Sequence, residues 1–290
     1  MLAELLRFII DESESGIFWN LKDENSILSN NQVFGGFSFL MGFLIVFRTS
    51  EAYGRFWEGT THIHRMRAEW FDAASACTAF CHYSLCPPKD VMVFKQVLIR
   101  LFSMLHSASL AELDIASHIK DAEEMRGFSY EVLDPASLDE VTLNAVRASP
   151  YKVELIFAWI QGLIVSEIRT GVLSIPPPIL SRVFQELANG MVAFHEAQKI
   201  VNVPFPFPYA QICDCLLVLH WLLVPFVTTQ WVQSHVWGFI FVFIQVFTLW
   251  SLNFIAVEIE DPFGDDLNDL DGETTQSEFN GNLELLVQEE

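Results

Sequence analysis

The fold class is decided by one stretch of 43 residues, CLLVLHWLLVPFVTTQWVQSHVWGFIFVFIQVFTLWSLNFIAV (215–257), which contains no Asp, Glu, Lys or Arg. A helix that spans a membrane needs about 20 consecutive apolar residues. The stretch is therefore long enough for two spans, and its polar centre, TTQWVQSH (228–235), is suited to a turn. We predict helices near 209–228 and 234–257 that form a membrane hairpin.

A second charge-free run extends from Asn25 to Phe47 and ends in VFGGFSFLMGFLIVF (33–47), which holds five phenylalanines. It predicts a third span, with 26–32 at the membrane interface. Four arginines follow between positions 48 and 67, and a positively charged flank marks the cytosolic side of a span. Three spans predict an integral membrane protein, in a plasma, thylakoid or other organellar membrane.

The composition excludes several classes of protein. The net charge is −21 and only 16 residues are Lys or Arg, whereas nucleic-acid binding needs a basic face that neutralises phosphates. We therefore expect no nucleic-acid partner. Hydrophobic residues make up 51% of the 290 residues, which is high for a soluble protein. The sequence has no Gly-rich phosphate loop, nucleophile elbow or H-E-x-x-H motif, so we predict no enzyme.

The remaining sequence predicts helices and no strands, so the predicted class is all-α. Prolines at 204, 206 and 208 are expected to exclude regular helix just before the hairpin, because each lacks an N–H and restricts its predecessor. The tail 258–290 carries twelve acidic residues and no basic one, which is typical of a solvated tail. The predicted segments are a polar N-terminal part (1–32), a membrane helix (33–48), a helical cytosolic domain (49–208), the hairpin (209–257) and an acidic loop and tail (258–290).

Three motifs together resemble the bestrophin family of ion channels. They are GFLIVFRTSEAYGRFWEG (42–59), KIVNVPFPFPYAQICDCLLVLHWLLVPF (199–226) and the acidic loop EIEDPFGDDLNDL (258–270). Their order and their positions beside the apolar runs extend the resemblance over residues 33–270. The resemblance implies a homopentamer around one axial pore, lined by the helix 33–48, that passively conducts chloride or other small anions such as bicarbonate.

The chain departs from the family at its beginning. The family has four membrane helices, whereas MLAELLRFII (1–10) is too short to span a bilayer and 11–32 is polar. We therefore expect the first helix to be missing or truncated, which keeps open a non-conducting subunit that assembles with full-length partners. The acidic excess keeps open a cation-selective channel on the same fold, since carboxylate rings at a pore mouth concentrate cations.

The aromatic run suggests the constriction of such a pore. Residues four apart lie on nearly the same face of a helix, and Gly35, Phe39 and Phe43 form such a stripe. Around a five-fold axis, each phenylalanine becomes an apolar ring that gates by dewetting. Aromatic edges are weakly positive and would favour an anion. The resemblance assigns these three residues to the pore neck.

Other placements of the aromatic residues stay open. A shift of one residue would move the neck to Gly36, Leu40 and Leu44, and phenylalanines of membrane helices commonly face lipid or neighbouring helices. The resemblance assigns a second constriction, the cytosolic aperture, to Phe205. The alternating prolines around Phe205 would hold it rigidly, although the same segment could serve only as a stiff connector.

The acidic loop suggests a calcium site. Calcium ions take about six to eight oxygen ligands, and the resemblance assigns ligands to Asp261, Asp266 and Asp269, with Asp265 nearby. Asn268 replaces a further acidic residue of the family pattern. The loop could instead cap the preceding helix and pack against a neighbouring subunit. We expect no other cofactor.

Polar residues near the spans complete the set of candidates. Asp214 and His220 lie inside a predicted span, where polar groups are usually functional or face the helix bundle. Arg48 and Arg55 are expected to anchor the end of the first span or to pair with Glu51 and Glu58, and to attract anions to the cytosolic side.

Overall fold

The computed structural model describes residues 31–117, 130–134, 140–264 and 268–288. These residues contain α-helices and no strand, which confirms the all-α class. A short 3₁₀ turn occupies Cys81–Tyr83. The helices of the described residues are α1 (Asn31–Phe80), α2 (Pro88–Ser117), α3 (Glu140–Ala148), α4 (Lys152–Thr170), α5 (Pro177–Asn202), α6 (Phe207–Trp231), α7 (His235–Ile259) and α8 (Gly272–Leu285).

The chain divides into two compact units. The hairpin unit comprises Met1–Phe56 and Pro204–Glu260, and the bundle unit comprises Trp57–Val203 and Asp261–Glu290. The expected missing first helix of the N-terminal segment 1–32 falls almost entirely outside the described residues.

Four helices of the described chain are long and apolar enough to cross a membrane, one more than we predicted. Three of them contain the predicted spans: α1, α6 and α7. In the fourth, Pro88–Asp114, 56% of the apolar 18-residue stretch is buried, against 11% of the corresponding stretch in His235–Ile259. Helix α2 packs against α4, α5 and α8, so its apolar residues form the core of the bundle unit.

The hairpin begins two residues earlier than predicted. Helix α6 starts at Phe207, so Pro208 lies in its first turn instead of in an irregular segment. The first backbone N–H groups of a helix have no acceptor within it, so a proline there removes no hydrogen bond. Helices α6 and α7 pack against each other. The first ends at Trp231 and the second begins at His235.

The hairpin unit is apolar on the outside and has polar groups inside. Phe239, Phe243 and Phe247 of α7 are exposed, and their rings are spaced by 6.3 and 5.7 Å along the helix. In contrast, His220 and Asn253 are buried. Polar side chains within membrane helices usually face the interior of the bundle and the apolar ones face lipid, so this distribution suits a bilayer.

The bundle unit holds the larger core. Trp70 of α1 and Phe194 of α5 are fully buried in it. The two helices approach closely at Gly190, where an added methyl group would lie 2.2 Å from Nε1 of Trp70. The same indole N–H donates to the carbonyl of Leu187 at 3.4 Å. The absence of a side chain at Gly190 is therefore what lets the Trp70 ring fit between the helices.

The distal tail is a packed helix, so the expectation of a solvated tail is wrong for 272–285. Helix α8 buries residues at the spacing of one helix face, and its glutamates lie at the other positions. The carboxylate of Asp271 caps the helix by accepting from the backbone N–H of Thr274 at 3.0 Å. The side-chain and backbone hydrogen bonds from Thr274 hold the pKa of Asp271 below its ordinary value. The buried residues are Gln276, Phe279, Asn280 and Leu283.

Candidate functional site

The three proposed neck residues lie on one exposed face of α1. Phe39 is 72% exposed and Phe43 is 60% exposed, and a methyl group built on Gly35 would meet no described atom within 4 Å. On the other side of the helix, Met41 and Ile45 are 1% and 0% exposed. Among the described residues, the helix therefore packs through one face and leaves the face with Phe39 and Phe43 largely exposed.

The alternative register differs at its last residue. Gly36 and Leu40 are exposed. Leu44 is partly buried, and its carbonyl accepts a hydrogen bond from the hydroxyl of Tyr209 at 2.9 Å. A stripe that ends at Leu44 is thus partly covered by α6, and this favours the register that ends at Phe43.

Two of the five phenylalanines serve helix packing. The rings of Phe34 and Phe37 lie 6.1 and 6.4 Å from the imidazole of His220 on α6, and Phe34 also lies edge-to-face with Trp231 at 5.6 Å. The Nε2 atom of His220 lies 3.1 Å from the amide nitrogen of Gln245 on α7. His220 therefore faces the bundle, as its position inside a predicted span indicates.

Phe205 lies between two side chains of its own unit. Its ring packs edge-to-face against Tyr209, with 5.6 Å between ring centroids. The guanidinium carbon of Arg48 lies 5.8 Å from the centroid of the same ring, within the range of a cation–π contact. The proposed aperture residue is therefore next to the end of the proposed pore helix, although it does not touch the neck residues.

A buried polar network surrounds Arg48, which is only 2% exposed. Its Nη1 donates to Oδ1 of Asn253 at 2.8 Å and lies 3.5 Å from Oδ1 of Asp214. Its Nη2 donates to Oε2 of Glu260 at 3.3 Å. The amide of Asn253 donates in turn to Asp214 at 3.0 Å. The network thus ties α1, α6 and the end of α7 together.

The network changes the role that we expected for the arginines. A buried charge is stable only when it is paired and hydrogen-bonded, and two carboxylates compensate Arg48. It therefore does not attract anions as an open positive charge would. Arg55 donates from Nε to the backbone carbonyl of Glu260 at 3.0 Å, so it also anchors the residue that follows the last span.

Sequence reasoning missed Asn253 and Glu260 as partners of Arg48. The available signal was a single asparagine in the long charge-free run 215–257 and a carboxylate seven residues later, since residues seven apart share a helix face. Their partner lies 205 and 212 residues away in the chain, and no local pattern specifies such a pairing.

The acidic loop packs onto α1 within the bundle unit. Pro262 and Phe263 are buried, and a methyl group built on Gly59 would lie 2.8 Å from Cγ of Pro262. The loop closes through a hydrogen bond from the N–H of Leu270 to the carbonyl of Pro262 at 3.0 Å. This arrangement agrees with the alternative in which the loop packs as a structural element.

Two of the proposed calcium ligands lie close together. A methyl group built on Gly264 would lie 2.6 Å from Oδ2 of Asp269 and 3.9 Å from the carbonyl oxygen of Asp261. The side chain of Asp261 accepts from the N–H of Phe263 at 3.4 Å. Asp265 and Asp266 lie outside the described residues.

The described oxygens fit only part of a calcium site, because such a site needs about six to eight of them. Within the described residues, no group of three or more His, Cys, Asp or Glu side chains is arranged to hold a metal ion. A calcium site in this loop would need further oxygens beyond those of Asp261 and Asp269.

A family model described as Bacterial/Fungal Bestrophin protein matches residues 21–283. The chain belongs to the bestrophin family. This confirms the resemblance carried by the three sequence motifs. With its apolar helices, this bestrophin is an integral membrane protein.

Two named proteins are similar in sequence to this bestrophin. This bestrophin is 26% identical over 269 residues to a voltage-dependent anion channel-forming protein of Synechocystis, with 87% of this chain and 76% of the relative covered. It is 28% identical over 240 residues to a voltage-dependent anion channel-forming protein of Nostoc, with 80% and 70% covered.

Solved structures share the fold. A crystal structure of a bacterial bestrophin homologue from Klebsiella pneumoniae that carries a point mutation superposes with a TM-score of 0.73 at 16% identity and covers 89% of this chain and 88% of that one. The Klebsiella homologue phased by zinc anomalous scattering gives 0.72 at 17% identity, with 88% and 87% covered. At this identity the likeness establishes the fold of this bestrophin.

Proposed function

We propose that this bestrophin forms a passive anion channel, a homopentamer with one axial pore that conducts chloride or other small anions such as bicarbonate. The observation that carries the proposal is the free aromatic face of α1, with Gly35, Phe39 and Phe43, on a helix whose opposite face is packed. The names of the two cyanobacterial relatives support the choice of anions as the conducted ions.

The selectivity follows from the chemistry of the neck. Residues 33–47 carry no charged side chain, and a fixed charge at the bilayer centre would itself be costly. Phenylalanine edges turned toward an axis offer a weak positive potential. An anion is then preferred over a cation without being bound tightly, so it can leave. Gly35 leaves a wider upper ring, and the barrier rests on Phe39 and Phe43.

The charges of the hairpin unit favour anions over the cation-selective alternative. Cation selectivity needs carboxylate rings that face the pore. Asp214 and Glu260, the two acidic residues of the network, are both engaged by Arg48. Arg48 balances one of these two negative charges, and Arg55, which donates to the backbone carbonyl of Glu260 at 3.0 Å, supplies the second positive charge. The four charges therefore sum to zero.

The proposed aperture is a second ring, formed by Phe205 at the cytosolic exit. Its place between Arg48 and Tyr209 supports a fixed ring position. The acidic loop is proposed to bind Ca²⁺ through the carbonyl of Asp261 and the carboxylate of Asp269, with Asp265 and Asp266 supplying further oxygens.

The experiment is planar-bilayer recording of the purified protein in a KCl gradient, together with native mass spectrometry. We expect a pentamer whose reversal potential lies on the chloride side. Phe39→Ala and Phe43→Ala should raise the single-channel conductance, because each removes one apolar ring. Phe247→Ala on α7 is the matched control, since it removes an exposed phenylalanine that the proposal places outside the pore.

Two results would overturn the proposal. A reversal potential on the potassium side would replace it with the cation channel. A monomer without current would favour the non-conducting subunit.

A further inference from the structure

The side chain of His106 on α2 is fully buried against helix α8. Its ring stacks on that of Phe279, with 4.4 Å between ring centroids, and lies edge-on to Trp70 of α1 at 6.3 Å. Its Nδ1 atom lies 2.6 Å from Oε1 of Gln276, which precedes Phe279 by three residues on α8. The two closest partners of His106 therefore belong to the same helix, so its surroundings change when that helix leaves α2.

The hydrogen bonds of Gln276 fix the tautomer of His106. The amide nitrogen of Gln276 donates to the backbone carbonyls of Ser103 and Glu131 at 3.2 and 3.0 Å. Carbonyl oxygens only accept hydrogen bonds, so the amide oxygen of Gln276 faces the imidazole. That oxygen also only accepts. Nδ1 therefore carries the hydrogen, and Nε2 carries a lone pair.

The Nε2 atom is where the ring would take up a second proton. It is buried and has no hydrogen-bond partner among the described residues. A proton there would place a positive charge and an N–H without an acceptor in the core, which is costly. Burial accordingly lowers the pKa of His106 from 6.5 to about 4.

The charged groups around the ring do not offset this cost. The hydrogen bond to Gln276 favours the charged form, whereas the positive charge of Arg67 on α1 lowers the pKa of His106 further. Arg67 in turn pairs with the carboxylate of Glu278 on α8. Within the described part of the chain, α4, α5 and the segment 130–134 bring no charged side chain into contact with the ring.

We propose that His106 is a proton-sensing residue whose protonation releases α8 from the bundle unit in acid. In the released state Nε2 is open to water and takes up a proton as an exposed histidine does. Docking of α8 on α2 is therefore fully stabilised above the pKa of the released state, 6.5, and weakens as the pH falls toward the pKa of the docked state, about 4. This role is separate from anion conduction, because the contacts that carry it lie within the bundle unit.

The first test compares amide hydrogen exchange of the full-length protein in lipid nanodiscs with that of His106→Asn. Asparagine keeps an N–H donor for Gln276 but does not titrate. The ratio of exchange rates in 272–285 between wild type and this variant should rise by about thirtyfold from about pH 7.5 to about pH 5. Both proteins keep Asp271, so the pH dependence of the α8 cap cancels in the ratio. His82→Asn is the matched control, since His82 is exposed.

The second test uses the wild-type protein alone, so it stands even if His106→Asn does not fold. Hydrogen exchange at the imidazole Cε1 atom, resolved by peptide mass spectrometry, follows the protonation of each histidine separately. The profile of His106 should have its midpoint at a lower pH than that of the exposed His82, because the docked ring resists protonation.

Two results would overturn the role of His106. One is a Cε1 profile of His106 that coincides with that of His82. The other is equal opening of α4 and α8 in acid, because the whole bundle unit would then unfold instead of releasing one helix. A protein without anion current would end the proposed function and leave these expected results unchanged.

Discussion

The ring nitrogen Nδ1 of His106 and the side-chain oxygen Oε1 of Gln276 lie 2.6 Å apart in the core of the bundle unit. The amide nitrogen of Gln276 also donates to the carbonyl of Glu131 at 3.0 Å and to the carbonyl of Ser103 at 3.2 Å. Asn280 adds a bond from its amide to the same Glu131 carbonyl at 2.9 Å. Side-chain amides of α8 thus satisfy polar groups on α2 and on the segment 130–134.

Replacing Gln276 with leucine should destabilise the protein strongly. The change leaves Nδ1 of the buried His106 without its partner, and an unsatisfied buried polar group costs about 1–3 kcal/mol. We expect a clear fall in the Tm of the bundle unit, measured by differential scanning calorimetry in detergent. Asn282→Leu is the control, because Asn282 is exposed on the same helix. Equal Tm values for both variants would contradict the role of the buried amides.

Gly190→Ala should destabilise the contact between α1 and α5. The new methyl group would lie 2.2 Å from Nε1 of Trp70, and overpacking of a core costs about 1–3 kcal/mol. Gly162→Ala provides a matched change on α4, where the methyl group meets no described atom within 4 Å. There, alanine should be neutral or stabilising by up to about 1 kcal/mol. Urea unfolding followed by tryptophan fluorescence measures both, and a stable Gly190→Ala variant would refute the close approach.

The cap of α8 should give a pH-dependent stability. Hydrogen bonds from Thr274 lower the pKa of Asp271 in the folded protein. Its stabilisation is therefore present above the unfolded pKa and is lost as the pH falls through the folded pKa. Asp271→Ala should lower the Tm near neutral pH, and the difference from wild type should shrink in acid.

Asp271→Asn controls for the charge at this cap. Asparagine keeps an oxygen that accepts from the Thr274 N–H, and it is about as good an N-cap as aspartate. This variant should retain much of the stability but should lose the part of the pH dependence that belongs to Asp271. A Tm difference between wild type and Asp271→Ala that stays constant with pH would exclude a charged cap.

Calcium should raise the Tm of the wild-type protein by binding the folded state. Asp269→Asn removes one carboxylate next to Gly264 and should weaken the calcium effect by about tenfold or more in half-saturating concentration, as loss of a ligand charge does in oxygen-ligand sites. Glu273→Gln is the control, because it neutralises an exposed glutamate nearby in sequence. If calcium at up to millimolar concentrations does not change the Tm of the wild-type protein, the calcium proposal is wrong.

Much of the fold could be predicted from the sequence, because the bilayer imposes a strong local rule. A charge-free run from Cys215 to Val257 has few alternatives to a hairpin, and α6 and α7 occupy this region. The error at Pro208 arose because proline was treated alike at all helix positions, although the first turn tolerates it. The apolar segment in α2 shows the limit of composition, since a buried core helix can have the same hydropathy as a span.

The tail was misread for a different reason. Twelve acidic residues dominate its composition, while the pattern Gln276, Phe279, Asn280, Leu283 uses only four positions, two of them polar. A helix face with buried amides shows only a weak hydrophobic pattern in the sequence. Whether such amides are buried depends on hydrogen-bond acceptors supplied by α2. The Arg48 network is non-local in the same way. The spacing of Phe39 and Phe43 predicts that they share one face of α1. Whether that face meets a pore, another subunit or lipid is not specified by the spacing.

The ribosome synthesises α2 before α8. Asn280, the hydrogen-bond partner of Ser103, is added 177 residues after it. At about 5–20 residues per second, the ribosome needs roughly 10–30 s to supply it. During that interval, water or a chaperone contacts the polar side of α2 that α8 later covers. The bundle can therefore close only late in translation, after both helices of the hairpin have emerged.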